Sequence, residues 1–427
     1  MLLRSVSSTR RALFLIALIS SFAVLLPSAL AAVNLLLWRN QSPLGTFGAL
    51  ALRGDIDGQG NYYFGGASAD LEEGVLEDSG HAFLRKQGPG GGILWTRDFG
   101  AGDFSAILDI AVDKRRGWIY VVGLTSGKLP NQRYAGGVDA VIRKYKRDGS
   151  IYWTRQFGGA GDDLAAGLAV GPGGNIVITG ATEIRPRSGF GDPFGYAGDP
   201  PNGFVRKYGP NGNLLFARRF GTSGLDIGID VAIDRRGQVF IGGVTDGRFK
   251  GERSAGEEDA FLLKLTKSGR TAWIKQFGRS SVDFVTGVAI EPRGNVYVVG
   301  SAGPRAFVRK YTPGGKRLWT RLWSDHLVLG AAVGADRRLY IVGAKNITSD
   351  LLSGDMKAFV RKYSNTGKKL WTRDVVQGAA TGAAVTADNE LVVSGVATKG
   401  LGQFEDPYLE TLNEPLTKVF VAKFAGE

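Results

Sequence analysis

Residues 139–158 read DAVIRKYKRDGSIYWTRQFG, and the rest of the chain keeps rewriting this phrase. It returns as HAFLRKQGPGGGILWTRDFG (81–100), GFVRKYGPNGNLLFARRFG (203–221), DAFLLKLTKSGRTAWIKQFG (259–278), RAFVRKYTPGGKRLWTRLW (305–323) and KAFVRKYSNTGKKLWTRDV (357–375). A seventh copy is split. KVFVAKFAGE (418–427) begins it near the C-terminus, and LLLWRNQSP (35–43) supplies its second half near the N-terminus. A repeat that starts at one end of a chain and finishes at the other predicts a ring closed by pairing of the two ends.

The Trp of the phrase, or the Phe that replaces it, stands at 38, 95, 153, 216, 273, 319 and 371, at intervals of 46 to 63 residues. Periods of this length with strand chemistry mark a propeller. Each unit holds four short runs. The first is small and apolar, as in LDIAVD (108–113), DVAID (230–234) or GVAIE (287–291), and suits strands crowded around an axis. The second is β-branched, as in WIYVVG (118–123) or NVYVVG (295–300). AFVRKY and LWTRQFG are the third and fourth. Asp–Gly turns join the first pair and Gly-bearing turns the second. Gly is 64 of 427 residues, far above the usual ~7%. Strands alternate faces with period two, so Trp, Arg and Phe of the fourth run share a face. The Lys of the third run recurs as Lys86, Lys144, Lys207, Lys264, Lys310, Lys362 and Lys423. These columns predict packing between blades, with the Lys and Arg heads in water.

The expected fold is therefore all-β: a single seven-bladed β-propeller of four-stranded blades, closed by Leu35–Asn40 pairing with the last blade. The pattern from FG through AVD, VYVVG and DAFVRKY to LWTRQFG resembles the bacterial β-propeller repeat family SBBP over residues 35–427. The resemblance implies secreted or surface proteins, and it carries no catalytic motif onto positions of this chain. NTGKKLWTR (365–373) is also similar to the tryptophan-docking motif of quinoprotein propellers, a likeness of packing chemistry.

Ahead of the ring, Arg4, Arg10 and Arg11 precede the apolar run Ala12–Leu26, and Ala29-Leu30-Ala31 has the form of a cleavage site. This reads as a signal peptide over 1–31, leaving 32–427 as the propeller and placing it outside the cytoplasm, extracellular or periplasmic. Losing the segment lowers the formal charge from +13 to +10. That field favours an anionic partner: an extracellular protein, a polysaccharide or a membrane surface. Nucleic acid does not suit the compartment, no membrane span is expected after cleavage, and nothing calls for more than a monomer. The absence of cysteine excludes disulfides and thiolate chemistry.

Tight turns make one face of the disc plain. The connections between second and third runs decorate the other and vary from SAGP (301–304) to the long stretches 181–203 and 396–417. Elaborated loops over a rigid scaffold carry function, so a site is expected there. One column at that face, the channel mouth, holds Ser105, Asp163, Asp226, Asp283, His326 and Gly378. Asp163, Asp226, Asp283 and His326 are the candidate ligand-binding residues. Three carboxylates could hold a hard cation such as Ca²⁺ or act as acid and base; alternatively each caps its own loop by accepting backbone N–H groups. No resident cofactor is otherwise implied. The segment Asp55–Asn61 has the look of a Ca²⁺ loop, but in register it is the first Asp–Gly turn. Asn346-Ile-Thr348 fits a glycosylation site if the source is eukaryotic. The functional expectation is a secreted or surface binding scaffold. The competing readings are a secreted hydrolase or lyase using the carboxylate column, and a quinoprotein-like propeller without its cofactor.

Overall fold

The computed structural model describes residues 48–72, 75–184, 202–324, 326–346, 356–397, 409–411 and 418–424. Six four-stranded antiparallel blades follow one another along the chain. They are β1 (Gly48–Ile56), β2 (Tyr62–Glu72), β3 (Val75–Gln87) and β4 (Ile93–Phe99); β5 (Ser105–Asp113), β6 (Trp118–Thr125), β7 (Asp139–Tyr145) and β8 (Ile151–Phe157); β9 (Asp162–Val170), β10 (Ile176–Ile184), β11 (Asn202–Tyr208) and β12 (Leu214–Phe220). Then come β13 (Asp226–Ile233), β14 (Val239–Thr245), β15 (Asp259–Leu265) and β16 (Thr271–Phe277); β17 (Asp283–Ile290), β18 (Val296–Ala302), β19 (Arg305–Tyr311) and β20 (Arg317–Ser324); β21 (His326–Val333), β22 (Leu339–Lys345), β23 (Lys357–Tyr363) and β24 (Lys369–Val385).

The expectation of seven four-stranded blades is overturned here. The sixth sheet does not stop at its outer strand. β24 runs unbroken for 17 residues, pairing with β23 up to Gln377 and then, from Gly378, with β25 (Leu391–Ala397). β26 (Leu409–Thr411) and β27 (Lys418–Phe424) extend the same sheet to seven strands. The physical reason lies in the sequence. This repeat carries Val375-Val376 where most others carry the Phe-Gly that ends the outer strand, so the backbone continues as strand. The closing strand also differs from expectation. β26 holds the edge beside β27, with Leu409 opposite Ala422 and Thr411 opposite Phe420. Residues 35–40 lie outside the described residues.

The ring nevertheless meets itself. Ile56, Tyr62, Phe64 and Phe83 of the first blade bury against Ala384, Val392 and Val421. Tyr62 donates its hydroxyl to Ser394 Oγ at 2.8 Å, across 332 residues of sequence. Each inner strand runs past a β-bulge, for example between Ile107 and Asp109 or between Gly228 and Asp230, and so begins earlier than the apolar run suggests.

Candidate binding site

The repeat columns form a clasp between neighbouring blades. Lys144 and Trp153 of the second blade donate Nζ and Nε1 to one carbonyl of the third, Pro210 O, at 2.7 and 3.3 Å. Lys264 and Trp273 converge on Pro313 O at 2.7 and 3.2 Å, and Lys310 and Trp319 on Asn365 O at 2.9 and 3.4 Å. The Arg two residues after the Trp reaches further round the same turn: Arg155 Nε donates to Gly212 O, and Arg321 Nε to Gly367 O. The turn glycine seats the Trp. Gly212 has φ 80°, and a Cβ there would stand 3.0 Å from the Trp153 ring, so both conformation and contact require glycine. Six of the seven Lys heads expected in water are buried instead, Lys144 at 2% exposed; Lys423 is half-exposed and pairs with Glu390. A second column stacks the third-strand Arg on the aromatic of the preceding outer strand, as with Arg143 over Phe99 at 4.2 Å and Arg309 over Phe277 at 4.0 Å.

The structure places the carboxylate column at the first residues of the inner strands, buried. Asp163 Oδ2 accepts from Gly159 N at 2.7 Å, Asp226 Oδ2 from Thr222 N at 2.5 Å and Asp283 Oδ2 from Arg279 N at 2.6 Å. Each is a four-residue loop cap. Asp163 also takes the Thr182 hydroxyl. Among the described residues no group of three or more His, Asp or Glu side chains is placed to hold a metal ion. Asp57 closes the first turn by accepting from Gln59 N, Asn61 N and the Tyr63 hydroxyl. Asn346 is exposed just beyond β22, with φ 57°; Thr348 lies outside the described residues.

Three charged residues missed in the sequence meet at the axis. Arg53, Asp109 and Asp230 stand at the bulge position of inner strands, where β17 and β21 carry Gly287 and Gly330. Arg53 crosses from β1 to donate Nη2 to Thr286 O of β17 at 2.8 Å. Asp109 and Asp230 each accept a backbone N–H from another blade, Leu168 N and Val288 N, both at 2.7 Å. Burial pushes the Asp109 carboxyl up to about 7, against the pull of Arg53. Burial also raises Asp226 and Asp283 to about 6 and Glu258 to about 7.

The sign of the pH dependence follows. The folded chain holds these protons at a pH where the unfolded carboxyls, ordinarily 3.8 for Asp, have lost them. Ionisation above pH 6–7 therefore costs the folded state, and stability rises as pH falls from about 8 towards about 5, each group contributing on the order of 1–3 kcal/mol. Thermal melts should show a higher midpoint at about pH 5 than at about pH 7, below the range in which the buried lysines titrate, with a shallower slope in Asp283→Asn. A midpoint that climbs with pH contradicts this account of the buried carboxyls.

A cleft of about 320 Å³ opens between the fifth and sixth blades, lined by Arg321, Trp323, His326, Arg361, Tyr363 and Lys369 among others. It forms where the repeat changes. Trp323 replaces the Phe of other outer strands, and His326 stands in the Asp column. The cations are held in place. Arg361 donates Nε to Thr372 Oγ1 at 2.8 Å and Nη2 to His326 Nε2 at 3.1 Å, with its guanidinium 4.8 Å from the Trp323 ring. His326 Nδ1 donates to Ser324 O at 2.7 Å, which fixes the neutral tautomer with Nε2 as acceptor. Arg321 Nη1 donates to Thr320 O. Among the described residues the lining contains no carboxylate. Of the predicted site residues, His326 alone enters this cleft.

Residues 272–303 match the SBBP beta-propeller repeat. They run from the fourth blade's outer strand through the fifth blade's first two strands, the unit that the sequence resemblance rests on. No curated protein matches the chain at the sequence level. Among solved structures, U3-55K is similar over 88% of this chain and 98% of that one, at 10% identity and a TM-score of 0.52. A protein of unknown function from Bacteroides caccae is similar over 78% and 94%, at 14% identity and a TM-score of 0.42. At 10% identity the likeness to U3-55K speaks for the fold alone.

Proposed function

We propose that this SBBP-repeat propeller is a binding module of the extracytoplasmic space, and that it holds an anionic partner in the cleft between its fifth and sixth blades. The observation that carries the reading is the cleft lining: two hydrogen-bonded guanidinium groups, an exposed Lys369 and two aromatic rings, with no carboxylate among its described residues. Guanidinium forks match carboxylate and sulfate geometry, and fixing them beforehand lowers the entropy lost on binding. Aromatic faces beside them suit the apolar face of a sugar ring, so an acidic polysaccharide fits best. The formal charge, +10 once the signal-like N-terminal segment is set aside, and that segment itself support the sign of the partner and the compartment.

The test sets binding against turnover. Purified protein is applied to arrays of neutral and acidic glycans and to chromogenic glycosides and esters. Salt-sensitive binding to acidic members with no turnover is expected. Turnover that disappears in Asp226→Asn or Asp283→Asn, with the fold intact, replaces this reading with a hydrolase.

A further inference from the structure

We propose that the plain face of the disc, opposite the long connections, docks flat on an anionic lipid surface. The topology places every turn between first and second strands, and between third and fourth, at this one face. These turns are uniformly tight. Each closes on itself, as Gly117 N does on Asp113 O, Gly237 N on Asp234 O and Gly149 N on Lys146 O. The face is therefore level, with no protruding loop among the described residues.

Its exposed charge has one dominant sign. Lys114, Arg115 and Arg116 sit on one turn, Lys146 and Arg147 on the next, and Arg235 and Arg236 on a third. Lys267, Arg270, Lys316 and Lys368 continue the ring, all exposed. The opposing carboxylates are fewer. Asp113 is spent on the turn N–H groups and on Arg116, and among the described residues of this face Asp148, Asp336 and Asp388 are the exposed ones.

The second observation selects lipid over a soluble polyanion. Directly behind the turns, five of the six outer strands carry exposed large apolar side chains within their first two residues: Ile93 (50%) and Leu94 (56%), Ile151 (53%) and Tyr152 (47%), Leu214 (50%) and Leu215 (49%), then Leu318 and Leu370; β16 has Thr271 and Ala272 there. They recur around the rim. A strand rises about 3.3 Å per residue, so these positions lie within roughly 7 Å of the face. That matches the depth of one headgroup layer, about 5–7 Å. Turn cations would meet lipid phosphates while the belt meets the acyl boundary, as in interfacial binding by amphipathic surfaces. A polyanion has no use for the belt.

The experiment is sedimentation of the full chain with phosphatidylcholine vesicles, with and without phosphatidylglycerol, beside retention on heparin. Three variants are compared with wild type in the same chain, so the N-terminal apolar run contributes equally to all. Phosphatidylglycerol should strengthen binding, and salt should weaken it without abolishing it. Arg235→Ser/Arg236→Ser should lower partitioning about 30-fold, from about 1 kcal/mol per basic residue at the surface. Leu214→Ser/Leu215→Ser should lower vesicle binding severalfold and leave heparin retention unchanged. Arg361→Ala, in the cleft, should leave vesicle binding unchanged, which separates this proposal from the preceding one. Vesicle binding indifferent to phosphatidylglycerol, or equal in wild type and both face variants, overturns the proposal. Belt substitutions that spare vesicle binding, with heparin and vesicles losing equally in the Arg pair, assign the face to a polyanion instead.

Discussion

Trp153→Ala should cost about 3–5 kcal/mol, the range for truncating a buried large aromatic. Trp153 is 8% exposed and lies between Tyr120 of its own blade and Tyr208 of the next, each with ring centroid 6.4 Å away. Its removal also leaves Pro210 O with Lys144 alone and opens a void over Gly212. The chain contains its own control. Phe216 occupies the same column and seats on Gly269, 3.0 Å from where a Cβ would stand. Trp153→Phe should therefore lose little more than the Nε1 hydrogen bond, about 1 kcal/mol. Denaturant or thermal unfolding of the two variants checks the clasp. Equal losses from Ala and Phe would mean that the ring's bulk plays no part in joining the blades.

The clasp shows why so much of the architecture can be read from the residues. The Lys, Trp, Arg and Gly columns recur because each blade must make the same contact with the next, and a contact repeated in space is a period in sequence. Where the period falters, reading falters with it. Val375-Val376 looks like a worn copy of Phe-Gly, yet it lets β24 continue and changes the number of separate sheets. The burial of the Lys heads was not visible either, because the receiving carbonyl, Pro210 O for Lys144, belongs to backbone 66 residues away. The axis charges were visible in principle. Arg53, Asp109 and Asp230 interrupt runs dominated by Gly, Ala and aliphatic residues, and a charge among them at a crowded axis asks for a partner. The cleft was not legible. Its two marked changes, Trp323 and His326, lie three residues apart, but the cation that joins them, Arg361, stands 35 residues beyond His326 and meets both only when the fifth and sixth blades pack. The long connections at 181–203 and 396–417, where elaborated loops predict a site, lie mostly outside the described residues.

The second large effect is expected in that cleft. Arg361 is fixed by Thr372, His326 and the Trp323 face, so it meets an anion with little further loss of freedom. Hydrogen bonds to charged groups contribute about 1.5–3 kcal/mol. Arg361→Ala should weaken binding of an acidic oligosaccharide by roughly tenfold to a hundredfold on that scale. Arg361→Lys keeps the charge but loses the planar fork and should recover only part of the affinity. Circular dichroism and melting of both variants separate a lost contact from a lost fold.

The most direct measurement is calorimetric titration of a sulfated or uronate oligosaccharide into the wild-type chain and into Arg321→Gln/Arg361→Gln, at low and at high salt. Gln keeps most of the side-chain bulk and removes both charges. The account predicts measurable wild-type binding that weakens as salt screens the charges, and none in the double variant at either salt. Equal affinity in the two proteins, or wild-type binding that ignores salt, would contradict an anionic partner held in this cleft.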